Sequence, residues 1–154
     1  MDENEKEARW HDRFMGLCNH IAAWSEDRDF RVGAVVVGPA HEVRTMGYNG
    51  LPRGVKENEE VRFDRKSGEK FFWFEHAERN AIYNAARMGV SVDGCTIYVN
   101  RFPCADCARA IIQSGLRMVC VPAKPVNDGV LDKSFDRSEV LLSEAAVEVL
   151  IYPE

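Results

Sequence analysis

Three soft-metal ligands in two separated stretches constrain this chain more than any other feature. Cys104-Ala105-Asp106-Cys107 follows Pro103, and His76-Ala77-Glu78 lies upstream, with a strand-like run from Cys95 to Val99 between them. Pro103 and Gly115 bound a helix over Cys104 to Ser114, and Gly89 stops a second helix over Glu75 to Met88. Ala77, Ala81, Ile82, Ala85 and Ala86 give that second helix a small-residue packing face. Two cysteines at positions i and i+3 of a helix start can point at one ion, and the unpaired backbone N–H groups there favour thiolate over thiol. A fold that uses these residues together must set two helix starts side by side.

The rest of the chain supplies a frame for that arrangement. Trp10, Phe14, Leu17, Ile21 and Trp24 recur at helical steps, so residues 2–24 read as an opening helix with Glu5, Lys6, Arg9 and Asp12 facing solvent. Val32 to Val37 is too continuously apolar for a one-sided strand and reads as a buried central one. Val43 to Tyr48 returns as its neighbour. A long irregular segment from Asn49 to Phe74 follows, dense in charge between Lys56 and Lys70 and ending in Phe71-Phe72-Trp73-Phe74. Met118 to Val121 is another strand, Ser134 or Asp136 caps a last helix reaching about Ala146, and Val147 to Tyr152 closes the chain as a strand. Strands alternating with helices predict an α/β sandwich around a mixed sheet, and 154 residues without a linker predict one domain over 1–154.

A net charge of −5 argues against broad nucleic-acid binding, which needs a concentrated basic surface, but leaves room for a small phosphorylated substrate. Met1 to Glu7 is acidic and no apolar stretch follows, so neither a secretory leader nor a membrane span is expected. Five cysteines, two of them as Cys-x-x-Cys, favour metal chemistry in a reduced, cytoplasmic protein over a disulfide scaffold.

His76, Cys104 and Cys107 suit Zn²⁺, and three protein ligands leave a tetrahedral position open for water. Cys18, Cys95, Cys120, His11, His20 and His41 offer no fourth ligand at a suitable spacing. Glu78 is placed to take a proton from the activated water and hand it to a ring nitrogen, then to departing ammonia. Alone, a Glu in a first helical turn would be read as complementing the helix dipole, worth about 0.5 kcal/mol. Paired with the downstream Pro-Cys-x-x-Cys, His-x-Glu is the signature of zinc-dependent deaminases, with Glu as acid/base.

The stretches His76 to Ile82, Thr96 to Val99, Phe102 to Ala108 and Ile111 to Gly115 resemble the cytidine and deoxycytidylate deaminase superfamily. Val32 to Val37 and Gly47-Tyr48-Asn49-Gly50-Leu51-Pro52-Arg53-Gly54 are most similar to deoxycytidylate (dCMP) deaminases. The resemblance spans roughly residues 9–125. It implies a three-layer α/β/α sandwich around a five-stranded mixed sheet, one zinc per chain, a homo-oligomer, and hydrolysis of dCMP to dUMP and ammonia. It implies that backbone around Ala77 holds the base and that Asn49 contacts the nucleotide, and some such enzymes respond to dCTP and dTTP. The glycines of 47–54 let backbone approach a ligand, Asn49 offers donor and acceptor, and Arg53 is a candidate for the 5′-phosphate. The aromatic run at 71–74 and everything from Lys124 onward depart from the pattern. The same zinc chemistry would also serve cytosine, cytidine, a pterin-like heterocycle or a tRNA adenosine. A non-catalytic zinc protein is the rival of another class, and a redox Cys-x-x-Cys leaves His76 and Glu78 unexplained.

Overall fold

A computed structural model describes residues 2–153. Five strands form one mixed sheet in the order β2-β1-β3-β4-β5: β1 is Gly33–Val37, β2 Val43–Tyr48, β3 Thr96–Val99, β4 Met118–Val121 and β5 Glu148–Ile151. β1 is antiparallel to both β2 and β3, while β3, β4 and β5 run parallel. The parallel connections pass through α4 (Ala105–Gln113) and α5 (Asp132–Glu144). On one face α1 (Glu3–Ala22) packs Phe14, Met15, Cys18 and Ile21 against Val35, Val37, Tyr98 and Cys120. The alternate residues Ala34, Val36, Ile97, Val99, Val119 and Val121 form the other core with α3 (Ala77–Met88), α4 and α5. This is the expected three-layer sandwich, and the buried run of β1 lies inside the sheet between β2 and β3. No described helix is long and apolar enough to cross a membrane.

Two features of β2 let a helix approach the sheet closely. A Cβ on Gly47 would lie 2.5 Å from Ala81 N and 2.6 Å from Ala77 O, so α3 rests directly on the strand backbone. Thr45 Oγ1 donates to Ala81 O, and the Asn80 and Asn84 amides donate to Tyr48 O and Met46 O. The small face of α3 and the missing side chain of Gly47 thus fix where residue 76 must emerge.

Several boundaries differ from the sequence reading for tertiary reasons. Glu75 exchanges two backbone bonds with Gly50, so α3 begins at Ala77 and His76 is its extended N-cap. Cys104 is likewise the extended N-cap of α4, not its first residue. The last helix starts at Asp132, because its carboxylate accepts from Asp128 N and Gly129 N and closes the preceding turn. It stops at Glu144, and Ala146 is left-handed. Trp24 lies beyond the end of α1 and is exposed. The 49–74 segment is not wholly irregular: it holds a 3-10 turn at Glu60–Phe63 and the short helix α2 at Lys70–Trp73. Arg28 pairs with Glu60, and the Arg62 guanidinium lies over Trp73.

Candidate active site

Both halves of the constellation arrive on helix N-termini, where first-turn N–H groups have no intrahelical acceptor. His76 Nδ1 lies 3.4 Å from Cys104 Sγ and 3.4 Å from Cys107 Sγ. One ligand atom from each residue falls within 4.8 Å of the other two, and among the described residues no other group of His, Cys, Asp and Glu comes together in this way. Cys104 and Cys107 are buried and His76 half-buried. Cys18, Cys95 and Cys120 are buried elsewhere, His11 Nδ1 meets Tyr98 Oη at 2.9 Å, and His41 stacks on Trp10.

The electrostatics prepare a ligand set. The Cys104–Cys107 hydrogen bond, opposed by burial and helped by His76, holds Cys104 down at about 4. The same bond, then burial, pushes Cys107 up. A cation bound here would take both sulfurs as thiolates and displace the proton that Cys107 carries. Burial works against protonation of His76, but its bond to Cys104 and the negative charges of Cys104 and Glu78 raise it overall. Two thiol sulfurs and an imidazole nitrogen at this separation fit Zn²⁺ by donor type and number. Glu78, only 4% exposed, takes a hydrogen bond from Cys107 Sγ at 3.4 Å. Burial is the first cause that raises its carboxyl above the usual range, partly offset by His76.

Two supports were not singled out in the sequence. Arg79 Nε donates to Glu75 Oε1 at 2.5 Å, while its Nη1 lies 3.6 Å from Asp106 Oδ2, so one guanidinium ties the start of α3 to the start of α4. The i,i+4 spacing of Glu75 and Arg79 is visible in the sequence; the reach to Asp106 is not. Ser134 Oγ accepts from Ala105 N at 2.9 Å, so a hydroxyl on α5 satisfies a first-turn donor of α4.

A cavity opens over this cluster, walled by Phe30, Phe71, Phe74, Phe102, Leu131 and Phe135, with His76, Ala77, Glu78 and Cys104 at its floor. Apolar walls with a few convergent polar groups are the usual form of a small-molecule site. Phe71 and Phe74 of the aromatic run line it, whereas Phe72 is exposed. Asn49 lines it too, with its amide engaged by the protein: Nδ2 donates to Asp27 Oδ2 and Phe30 O, and Oδ1 accepts from Val32 N. One lone pair of Oδ1 is left for a ligand. Arg53 is elsewhere. It donates to Asn84 Oδ1 and faces a separate groove beside Trp24, Tyr48 and Tyr83. The structure thus brings Asn49 and Ala77 to the cavity and does not bring Arg53.

Residues 8–123 match the model of the cytidine and deoxycytidylate deaminase zinc-binding region. The chain is 33% identical over 149 residues to the "Uncharacterized deaminase in luxG 3′ region" of Aliivibrio fischeri, covering 95% of each. It is 34% identical over 122 residues to the deoxycytidylate deaminase of Homo sapiens, covering 77% of this chain and 67% of that one. Among solved structures, the dCMP deaminase of cyanophage S-TIM5 in complex with dCMP and dUMP superposes with a TM-score of 0.76 at 26% identity, covering 99% of each chain.

Proposed function

Because the chain belongs to the cytidine and deoxycytidylate deaminase family, and is therefore a hydrolase of C–N bonds, we propose that it converts dCMP to dUMP and ammonia. The observation that carries this reading is the clustering of His76, Cys104 and Cys107 beside the buried Glu78 carboxyl in the lining of an apolar cavity.

His76, Cys104 and Cys107 would hold the zinc. When bound, it supplies Lewis acidity and a water competent to attack at neutral pH. Glu78, acting through its carboxyl oxygens, receives a proton and delivers it to the ring nitrogen beside the reacting carbon. It then takes a second proton, the one left on the newly bonded oxygen, and carries it to the leaving amino group. A C–O bond forms, the C–N bond breaks and ammonia departs, so the carboxyl returns to its starting state. Burial raises the carboxyl above the usual range, which makes the protonated form that it must pass through in each turnover easier to reach. The first-turn N–H of Ala77 and the remaining lone pair of Asn49 Oδ1 orient the base, and the Phe71, Phe74 and Phe102 rings exclude bulk water.

We place this activity in one domain over residues 1–154, acting in the reducing cytoplasm, in keeping with five cysteines that form no disulfide. Assembly into a homo-oligomer belongs to the same proposal, and exposed Trp24, Met46, Tyr48, Tyr83 and Met88 give it apolar surface. The test is ammonia release by the zinc-loaded protein on dCMP, CMP, deoxycytidine, cytidine and cytosine. The highest kcat/KM is expected for dCMP. No turnover of dCMP alongside turnover of another member of the panel would overturn the substrate assignment.

A further inference from the structure

Three cationic side chains line the cavity: Arg65, Lys70 and Arg101. Lys70 Nζ is already balanced twice over, 2.6 Å from Asp27 Oδ2 and 3.2 Å from Asp29 Oδ2. Arg65 and Arg101 are balanced by half. Each donates a single Nη2 bond to opposite oxygens of one carboxylate, Asp128, at 2.7 Å and 2.6 Å. Their side chains are only 15% and 18% exposed. Among the described residues neither guanidinium has another hydrogen-bond acceptor.

What else they touch is aromatic. Arg101 Cζ lies 3.6 Å from the centroid of Phe30 and 5.6 Å from that of Phe135, and Arg65 Cζ lies 4.9 Å from Phe30. Stacking engages a guanidinium through its face and leaves its N–H edge free. Five donors per group, one of them committed, leave an array suited to paired bonds with the oxygens of a phosphate. Two like charges beside one carboxylate also leave a net charge of +1 in a largely dry wall. Asp128 accepts from Val130 N and Leu131 N as well.

We infer that Arg65 and Arg101, stacked on Phe30 and joined through Asp128, form an anion subsite for the substrate's 5′-phosphate, and that these two residues select a nucleotide over its nucleoside. The inference rests on the cytosine-nucleotide reading above and gives Arg65 and Arg101 the part that the sequence offered to Arg53. The alternative is a purely structural clasp between the loops that carry residues 65, 101 and 128.

The test compares zinc-loaded wild-type, Arg65→Met, Arg101→Met and Arg101→Lys proteins, using calorimetric binding of dUMP, deoxyuridine and inorganic phosphate together with kcat/KM on dCMP and deoxycytidine. Each Met variant should weaken dUMP binding about 10–100-fold relative to deoxyuridine, the loss expected when a charged hydrogen-bond donor to an anion is removed. The dCMP to deoxycytidine ratio of kcat/KM should fall by a similar factor, and Arg101→Lys should recover part of it. A control needs no substitution: dUMP, but not deoxyuridine, should shield Arg65 and Arg101 from phenylglyoxal, read by peptide mass. Equal losses for nucleotide and nucleoside, or no shielding, would overturn the subsite while leaving the deaminase assignment intact. Inorganic phosphate competing at the two arginines of a protein that turns over no cytosine nucleotide would retain the subsite and overturn the substrate reading instead.

Discussion

Replacing Asp128 with Asn keeps the shape of the side chain and removes the charge that two guanidinium groups share. Burial works against the Asp128 carboxylate, but the Leu131 and Val130 N–H groups and Arg65 outweigh it, lowering its pKa from 3.8 to about 2. A tenfold change in an acid's ionisation constant corresponds to about 1.4 kcal/mol, so the native interactions contribute about 2 kcal/mol at pH 7. The folded pKa lies below the unfolded one, so this stability is fully present above about 3.8 and is lost as pH falls through about 2. Asp128→Asn should therefore lower the unfolding free energy by about 2 kcal/mol in urea titrations at pH 7. For a chain of this size that is a fall of roughly 4–8 °C in Tm. The gap from wild type should stay constant between pH 7 and pH 5 and narrow only below about pH 4. A gap under about 0.5 kcal/mol at pH 7, or one that closes between pH 7 and pH 5, would refute the reasoning, because the first denies the native interactions and the second points to a different titrating group.

Glu78→Gln should retain zinc by metal analysis while kcat/KM falls by about 10²–10⁴-fold, the usual contribution of a positioned acid/base; undiminished turnover would remove Glu78 from the mechanism. Gly47→Ala drives a methyl into the α3 backbone at Ala81 N and Ala77 O, so a loss of about 2 kcal/mol is expected in denaturant titration, with weaker zinc retention because His76 moves with the helix. Lys70→Met leaves Asp27, whose side chain is 1% exposed, without its cation and should cost about 3 kcal/mol, read as a lower Tm; an unchanged Tm would mean that the N–H donors of Asp29, Phe30 and Asn49 suffice.

The layer order and the metal-ligand trio were legible because each depends on local signals. Residue type sets ligand chemistry, Pro103, Gly89 and Gly115 mark helix ends, and the Val32–Val37 run announces burial on both faces. The one-residue and two-residue shifts of α4 and α3 were not, because the Glu75–Gly50 pairing that delays α3 links residues on either side of a long loop. Arg53 shows the limit more sharply. Its neighbours mark a close-approach loop, but Asn84, on a helix far along the chain, decides which way the guanidinium turns. Arg65, Arg101 and Asp128 could not be read together at all, since they sit on three separate connections and meet only when α5 returns over α4.

That division has a physical logic. The groups assigned to bond making stand at the starts of α3 and α4, whose positions are set by the Gly47 contact, the Arg79 tie and the Ser134 cap. Apart from the Ala77 N–H at the start of α3, those assigned to recognition stand on loops. Loops ordered only by a ligand would draw their ordering cost from the binding free energy, at about 0.5–1.5 kcal/mol for each immobilised long side chain. Here buried ion pairs do much of that ordering beforehand: Asp27 with Lys70 fixes the Asn49 wall, and Asp128 with Arg65 and Arg101 fixes the opposite one. Replacing a recognition loop should therefore change which amino-heterocycle is accepted while leaving the His76, Glu78, Cys104 and Cys107 geometry in place. Disturbing Arg79 or Gly47 should impair the chemistry for every substrate alike.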